Sequence, residues 1–474
     1  MKSQFMKSFF NSIIILFIIS LNFSCFEDND DSTTLSVDIK DFVWKGMNYV
    51  YLYKDDIPNL ANNRFVTDSE YQSYLADYDS PENLFESLIY DPTVVDRFSW
   101  ITSNYIALEE QFSGVTKTNG AEFNFYRTPG STTEVFGIVR LILPGSNSSN
   151  TSLTRGTIFN KIDGQALNTT NLATLLSPDS YSLGIASYNS NGTDDPADDS
   201  LNDSDETITL TKTVYSENPI FKSEVINVNN ENVGYLMYNG FVADYDTQLN
   251  AVFADFAAQN IQHLVLDLRY NPGGSVNSAA ALGSMITGLS EGIFAKLQYN
   301  SELQNNNNDY NFTSALAQGE AINALNLNKV YVLTSGSSAS ASEMIINSLN
   351  PYIEVVQIGT KTVGKSQASI TIYDSPNNFQ RSEANPGHLY ALQPLVAITV
   401  NKDNEVVPSA GITPTIQVKE KVENYGVLGA SDEPLLAAAL AAIQGGRFMF
   451  DVPGKLPILN SDSFVPHTQI MYLD

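Results

Sequence analysis

Three segments of this 474-residue chain bring hydroxyls, glycines and a lysine to the ends of strand-like runs. The first is Asp267-Leu268-Arg269-Tyr270-Asn271-Pro272-Gly273-Gly274-Ser275, where an apolar strand breaks at a Gly-Gly turn before a helical pattern. Backbone N–H groups exposed at such a turn can hold a developing oxyanion, although a plain helix entry has the same appearance. The second, Thr334-Ser335-Gly336-Ser337-Ser338-Ala339-Ser340-Ala341-Ser342-Glu343, follows the apolar run Lys329 to Leu333. Ser340 and Glu343 have the spacing of a capping box, and a nucleophilic oxygen at a helix head would gain from the same dipole and free amides. The third, Gly359-Thr360-Lys361-Thr362-Val363-Gly364-Lys365-Ser366, fits G-x-x-x-x-G-K-S in full. A phosphate loop must run into a helix, whereas Gln367 to Tyr373 is alternating and β-branched, so the context argues against nucleotide binding.

The elements around these segments alternate between strand and helix. Val233 to Phe241, Leu264 to Arg269, Lys329 to Thr334, Ile353 to Gly359 and Ala368 to Tyr373 read as strands. Tyr245 to Gln259, Val276 to Leu289, Ala341 to Leu349 and Glu433 to Gln444 read as helices, which gives an α/β core over 216–450. Before it, residues 38–112 carry apolar residues at helical spacing and predict a small helical domain. Residues 113–215 change to short alternating runs separated by Gly, Ser and Asn, a β-rich module. Its carboxylate-dense stretch, 191–206, lacks the spacing of a calcium loop and reads as a solvated hairpin tip.

In order and spacing, these features resemble the carboxyl-terminal processing (tail-specific) serine peptidases. That resemblance implies a multidomain α/β protein: a crotonase/Clp-protease-like catalytic core, a PDZ domain and a helical N-terminal domain. Leu153 to Gln165 and the helix-like Asn171 to Leu176 resemble the second half of a bacterial PDZ domain, whose groove adds a peptide as an extra strand. The loop Asn119 to Phe123, with Gly120 and Phe123, would then hold the peptide's terminal carboxylate. In the core the resemblance assigns Ser340 as nucleophile and Lys365, 25 residues later, as its base. It assigns the amides of Gly273 or Gly274 and of Ala341 as oxyanion donors. An ammonium with its ordinary pKa of about 10.4 cannot accept a proton at neutral pH, so the site must desolvate Lys365. Many members orient the lysine with a Gln four residues on; here that position is Ser369, with Gln367 two residues earlier, and both are candidates for a third group. The resemblance implies a serine endopeptidase acting without cofactor or metal on polypeptides with exposed C-termini. A peptide-binding envelope lipoprotein with a degenerate catalytic core is the alternative.

Composition narrows the partners. Lys and Arg number 25 against 53 Asp and Glu, a net charge of −28, so a nucleic acid would be repelled. One cysteine and three histidines (His263, His388, His467) leave little from which to build a zinc site or a thiol–imidazole pair. Residues 1–24 have the basic start and short apolar stretch of an export signal, and Leu21-Asn22-Phe23-Ser24-Cys25 resembles a bacterial lipoprotein signal. Cys25 would then carry the lipid that anchors the chain to a membrane, with 25–37 as an acidic linker. The implied location is the cell envelope, at the outer membrane and open to surface exposure. Residues 451–474 form a C-terminal extension.

Overall fold

The computed structural model describes residues 36–193, 195–446 and 471–473. The expected signal, Cys25, most of the acidic linker and residues 447–470 lie outside them. No described helix is long and apolar enough to cross a membrane.

The central sheet runs Ile220–Val228, Glu231–Tyr238, His263–Asp267, Lys329–Thr334, Glu354–Gly359, Ile416–Gln417 in spatial order. Its first pair is antiparallel and the rest are parallel. Both faces are covered, as a parallel sheet requires, and the side chains alternate accordingly. Val233, Tyr235, Met237, Val265, Tyr331 and Leu333 pack with the helix Pro434–Ile443. Leu236, Tyr238, Leu264, Leu266, Val330 and Val332 point to the larger core on the other face, shared with helices Asp246–Ala258, Val276–Thr287 and Ala341–Leu349. Three adjacent parallel strands, His263–Asp267, Lys329–Thr334 and Glu354–Gly359, are in register at their carboxyl ends, with Asp267 beside Leu333 and Thr334 beside Gly359. Ligand chemistry in open α/β sheets concentrates at that edge. Here each strand end runs into one of the three motif segments.

A second sheet covers the site. It runs Gly274–Ser275, Met471–Tyr472, Gln367–Ser369, Leu395–Val400, Ile293–Tyr299, Asn308–Asn311. The strand expected from Ala368 to Tyr373 is divided. After an irregularity at Ala368/Ser369 the chain leaves this sheet, and Ile372–Tyr373 pairs instead with Ala391–Gln393. That small sheet is completed by Trp100–Thr102, so the helical N-terminal segment is joined to the core by main-chain hydrogen bonds. The β-rich segment forms a sheet of Ala121–Arg127, Val135–Ile142, Ile158–Ile162, Ser180–Asn189 and Ser200–Thr211, with the helix Leu172–Leu176 on its apolar face. The chain enters and leaves it through one antiparallel pair, Val115–Thr118 with Thr213–Ser216. The acidic stretch forms the turn and one arm of the 180–211 hairpin, where Asp203 pairs with Lys161.

Beneath the motif-bearing strand ends, Arg269 is fully buried and its charge is met by three carboxylates. Nε and Nη2 bind Asp267, Nη1 and Nη2 bind Glu433 at 2.6 and 2.9 Å, and Nη1 lies 3.3 Å from Glu420. Glu433 also caps the last core helix by accepting from Leu436 N. Removing one partner of a buried ion pair leaves an unpaired charge in a low-dielectric interior and costs about 3–5 kcal/mol. Glu433→Ala should therefore lower the free energy of unfolding in urea by about that amount. A loss under about 1 kcal/mol would show that the network is neutral for stability.

Candidate active site

Ser340 stands at the N-terminus of helix Ala341–Leu349, with φ 64° and ψ −117° and no exposed surface. A non-glycine residue held there stores about 1–3 kcal/mol of backbone strain, which surrounding contacts must hold in place. The turn containing Asn271 supplies several of them. Asn271 O accepts from Ala339 N at 3.2 Å and from Ser342 Oγ at 3.0 Å, and Ser338 Oγ donates to Leu268 O at 2.8 Å. Glu343 Oε2 accepts from Ser340 N, whereas Glu343 N donates to the Ser340 carbonyl and not to its side chain. Ser340 Oγ is buried and makes no hydrogen bond among the described residues.

The Glu343 carboxylate, itself fully buried, does more than cap. Oε1 accepts from Thr362 Oγ1 at 2.5 Å and Gly364 N at 2.6 Å, while Oε2 accepts from Ser340 N at 2.9 Å and Lys365 N at 2.8 Å. One oxygen thus holds the amides of both proposed catalytic residues, and their main chains lie within the span of two hydrogen bonds. Burial pushes this carboxyl above its usual pKa, and the four donors pull back against that shift. Gly364 makes the lysine turn possible: its φ is 89°, and a Cβ would meet Ser409 O at 2.2 Å.

Lys365 is 1% exposed. Desolvation pulls its pKa down from 10.5 to about 7, against the fields of Asp96 and Glu343, which favour the ammonium. The N-terminal segment builds much of this pocket. The Phe98 ring centroid is 5.1 Å from Lys365 Nζ, and Arg97 Nη2 donates to the carbonyls of Val363, Gly364 and Ser409. Asp96 is fixed by Tyr51 Oη at 2.7 Å and by the amides of Phe98 and Ser99. Asp96-Arg97-Phe98 matches no motif, and it meets the lysine from 267 to 269 residues away. In the sequence these residues are marked only as part of the expected helical segment 38–112.

The candidate third residues are turned elsewhere. Gln367 Nε2 donates to Tyr53 Oη at 3.1 Å, and its Oε1 has no hydrogen-bond partner. Ser369 Oγ donates to Met471 O and accepts from Gln393 Nε2, both at 2.9 Å. The regular strand begins only at Gln367, so alternation along a strand does not carry back to Lys365. The two glycines of the turn also differ. Gly273 N donates to Asn271 Oδ1 at 2.9 Å, whereas Gly274 pairs in parallel with Phe241 and with Met471. At Gly274, with φ 134°, a Cβ would lie 2.2 Å from Phe241 O. Ala341 N, on the first residue of the helix, donates to no group among the described residues. Gly120 and Phe123 lie at the start of Ala121–Arg127, which among the described residues is an edge strand paired with Val135–Ile142. Gly120 N is taken by Thr118 Oγ1, and Phe123 packs on Phe159.

The profile of Peptidase family S41 matches residues 232–418, and that of the Peptidase S41 N-terminal domain matches 38–100. The chain carries peptidase family S41 domains. Among curated relatives, a carboxyl-terminal-processing protease of Picosynechococcus sp. is 24% identical over 238 residues, 49% of this chain and 50% of the relative. A candidate CtpA-like serine protease of Staphylococcus epidermidis is 30% identical over 142 residues, 30% of this chain and 26% of the relative. The chain therefore matches no more than half the length of these relatives. A crystal structure of a candidate S41 protease from Bacteroides fragilis superposes with a TM-score of 0.66 at 27% identity, covering 85% of this chain and 97% of the other. The photosystem II D1 C-terminal processing protease shares the fold at TM-score 0.51 and 17% identity, over 85% and 100% of the two chains. The S41 profile spans all three motif segments.

The Lys365 environment predicts a measurable titration. Competitive labelling of lysines with a small acylating reagent should give Lys365 a midpoint near pH 7, and Asp96→Asn should move that midpoint lower by removing a field that favours the charged form. A wild-type midpoint above about 9 would mean that the amine is solvated.

Proposed function

We propose that this protein is a serine endopeptidase in which Ser340 is the nucleophile and Lys365 its general base. The observation that carries the reading is the buried Lys365, its pKa lowered to about 7, on a turn bound to the same carboxylate oxygen as the Ser340 amide. At neutral pH such an amine is substantially uncharged and can accept a proton, so lysine here does what histidine does elsewhere. Lys365 Nζ takes the Ser340 proton as Oγ attacks the scissile carbonyl carbon. The oxygen that becomes negative is stabilised by the Ala341 amide and by the Gly273–Gly274 turn, once the Gly273 amide exchanges Asn271 Oδ1 for the oxyanion. The ammonium returns its proton to the departing amine, leaving an acyl-enzyme. Water then attacks the acyl carbon and loses a proton to Lys365, which passes it to Ser340 Oγ as the acyl C–O bond breaks and the new carboxyl end leaves.

The β-rich segment would serve as a PDZ-type receptor for substrate C-termini. Its free edge strand Ala121–Arg127 is open to strand addition, with Gly120 and Phe123 at its head. Cys25 would be the site of lipid attachment in an envelope-anchored form. A second reading, peptide capture without turnover, draws on Ser340 Oγ having no hydrogen-bond partner and on Gln367 facing Tyr53. Labelling of Ser340 by a fluorophosphonate probe would exclude it.

Purified protein should hydrolyse an unstructured polypeptide, and Ser340→Ala and Lys365→Ala should each lower kcat by about a thousandfold or more. The wild-type rate should climb with pH through a midpoint near 7, because only the unprotonated amine is competent. Equal activity in all three proteins would refute the assignment. In a Gram-negative host, the full chain should incorporate an alkyne fatty acid, and Cys25→Ala should abolish the label. Label that survives this substitution would exclude Cys25 as the anchor.

A further inference from the structure

A cavity of about 470 Å3 opens beside the Gly273–Gly274 turn, between the core and the connector to the β-rich segment. Much of its wall is apolar, including Phe112, Phe241, Val242, Pro219 and Tyr472. Phe112 and Tyr472 stack on each other, with ring centroids 4.4 Å apart. Its polar wall is rich in acceptors. Glu217 reaches it from the segment just after Thr213–Ser216, and its Oε1 accepts from Asn239 Nδ2 at 3.2 Å. Asn239 is 8% exposed, and its Oδ1 has no hydrogen-bond partner among the described residues. The other charged groups of the lining are already paired: Glu122 with Arg140 at 2.9 Å and Lys117 with Asp179 at 2.6 Å. Glu217 makes no salt bridge among the described residues.

A buried acceptor without a donor costs free energy unless a ligand supplies one. Burial and the nearby Glu122 raise the Glu217 pKa to about 7, the behaviour of a carboxyl short of a counter-charge. An occupant must therefore offer a cationic or multiple-donor tip to Glu217 and Asn239 Oδ1, and an apolar stem to the rings opposite. Lysine and arginine side chains have that form. The cavity also adjoins the reaction centre, since Gly273 and Gly274 line it and Asn271 of the same turn is bonded to the serine loop at Ala339 and Ser342.

We infer that this cavity is a substrate subsite selecting a lysine or arginine near the scissile bond, with Glu217 and Asn239 as its specificity-determining residues. The inference rests on the peptidase reading, but its test does not need turnover. Fluorescent nonapeptides carrying a single lysine stepped through each position, and matched peptides with norleucine there, would be titrated by anisotropy into full-length Ser340→Ala protein. At one or more positions lysine should bind about tenfold more tightly than norleucine, as expected of a hydrogen bond to a charged group. Adding Glu217→Gln should shrink that ratio to about twofold or less, since an amide keeps the shape and loses the charge. Both peptides meet the same preparation, so partial unfolding would weaken both and leave the ratio intact. Glu217→Lys should favour a glutamate peptide at the same position, a gain that misfolding cannot produce. Equal affinity at every position, no binding of either peptide, or a lysine preference that persists in Glu217→Gln would overturn the subsite. If wild type cleaves peptides without any such preference, the subsite alone falls. If the preference is present and no peptide is cleaved, the peptidase reading falls and the cavity remains a cation-selective peptide site.

Discussion

The site depends on the Glu343 carboxylate. Two chain segments that leave neighbouring strands, Lys329–Thr334 and Glu354–Gly359, must meet above the sheet with sub-ångström tolerance if a hydroxyl and an amine are to exchange a proton. Hydrophobic packing does not provide such directionality. A buried carboxylate does, because each oxygen accepts along defined directions and leaving any of its donors unsatisfied is costly. Glu343 joins Ser340, Thr362, Gly364 and Lys365 through two atoms. The strain at Ser340 is tolerable because that junction and the Asn271 carbonyl hold the helix head from two sides.

Around the junction lie two buried environments of different character. Arg269 and its carboxylates form a charged layer below the strand ends, extended by Arg155 and Tyr270, both of which reach Glu420. Arg155 and Arg140 come from the β-rich segment, and Arg140 Nη1 donates to Ser337 Oγ at 2.7 Å within the serine loop. The lysine pocket above is flanked by the Phe98 ring, with Arg97 held outside it on the carbonyls of Val363, Gly364 and Ser409. Arg269 is thus balanced by direct ion pairs, whereas at Lys365 desolvation outweighs the fields of Asp96 and Glu343.

Much of this was legible in the sequence because parallel strands buried on both faces are written as short apolar runs ending in glycine and serine. Lys329–Thr334 and Ala341–Leu349 fall where periodicity puts them. The three motif segments come together because their strands are sheet neighbours, which their order along the chain already suggested. Other features left no local trace. Asp96 and Phe98 reach Lys365 through long-range contacts, among them the strand pairing of Trp100–Thr102 with Ala391–Gln393 and the Arg97 bonds to the lysine turn. Glu343 matched a capping signature so well that its longer-range bonds were invisible in one dimension. The break of the strand after Ser369 was hidden for a related reason: Ile370 to Tyr373 keeps a β pattern while changing partner sheet. Glu217 had no signature, since its meaning comes from a cavity assembled by residues from 111 to 472.

Met471–Tyr472 lies between Gly274–Ser275 and Gln367–Ser369, and Met471 is fully buried in the main core. An interior strand of the second sheet is thus contributed by residues made about a hundred positions after the lysine turn. Closing that sheet is therefore a long-range step of folding, which waits for the far end of the chain to thread between two segments already laid down by the core.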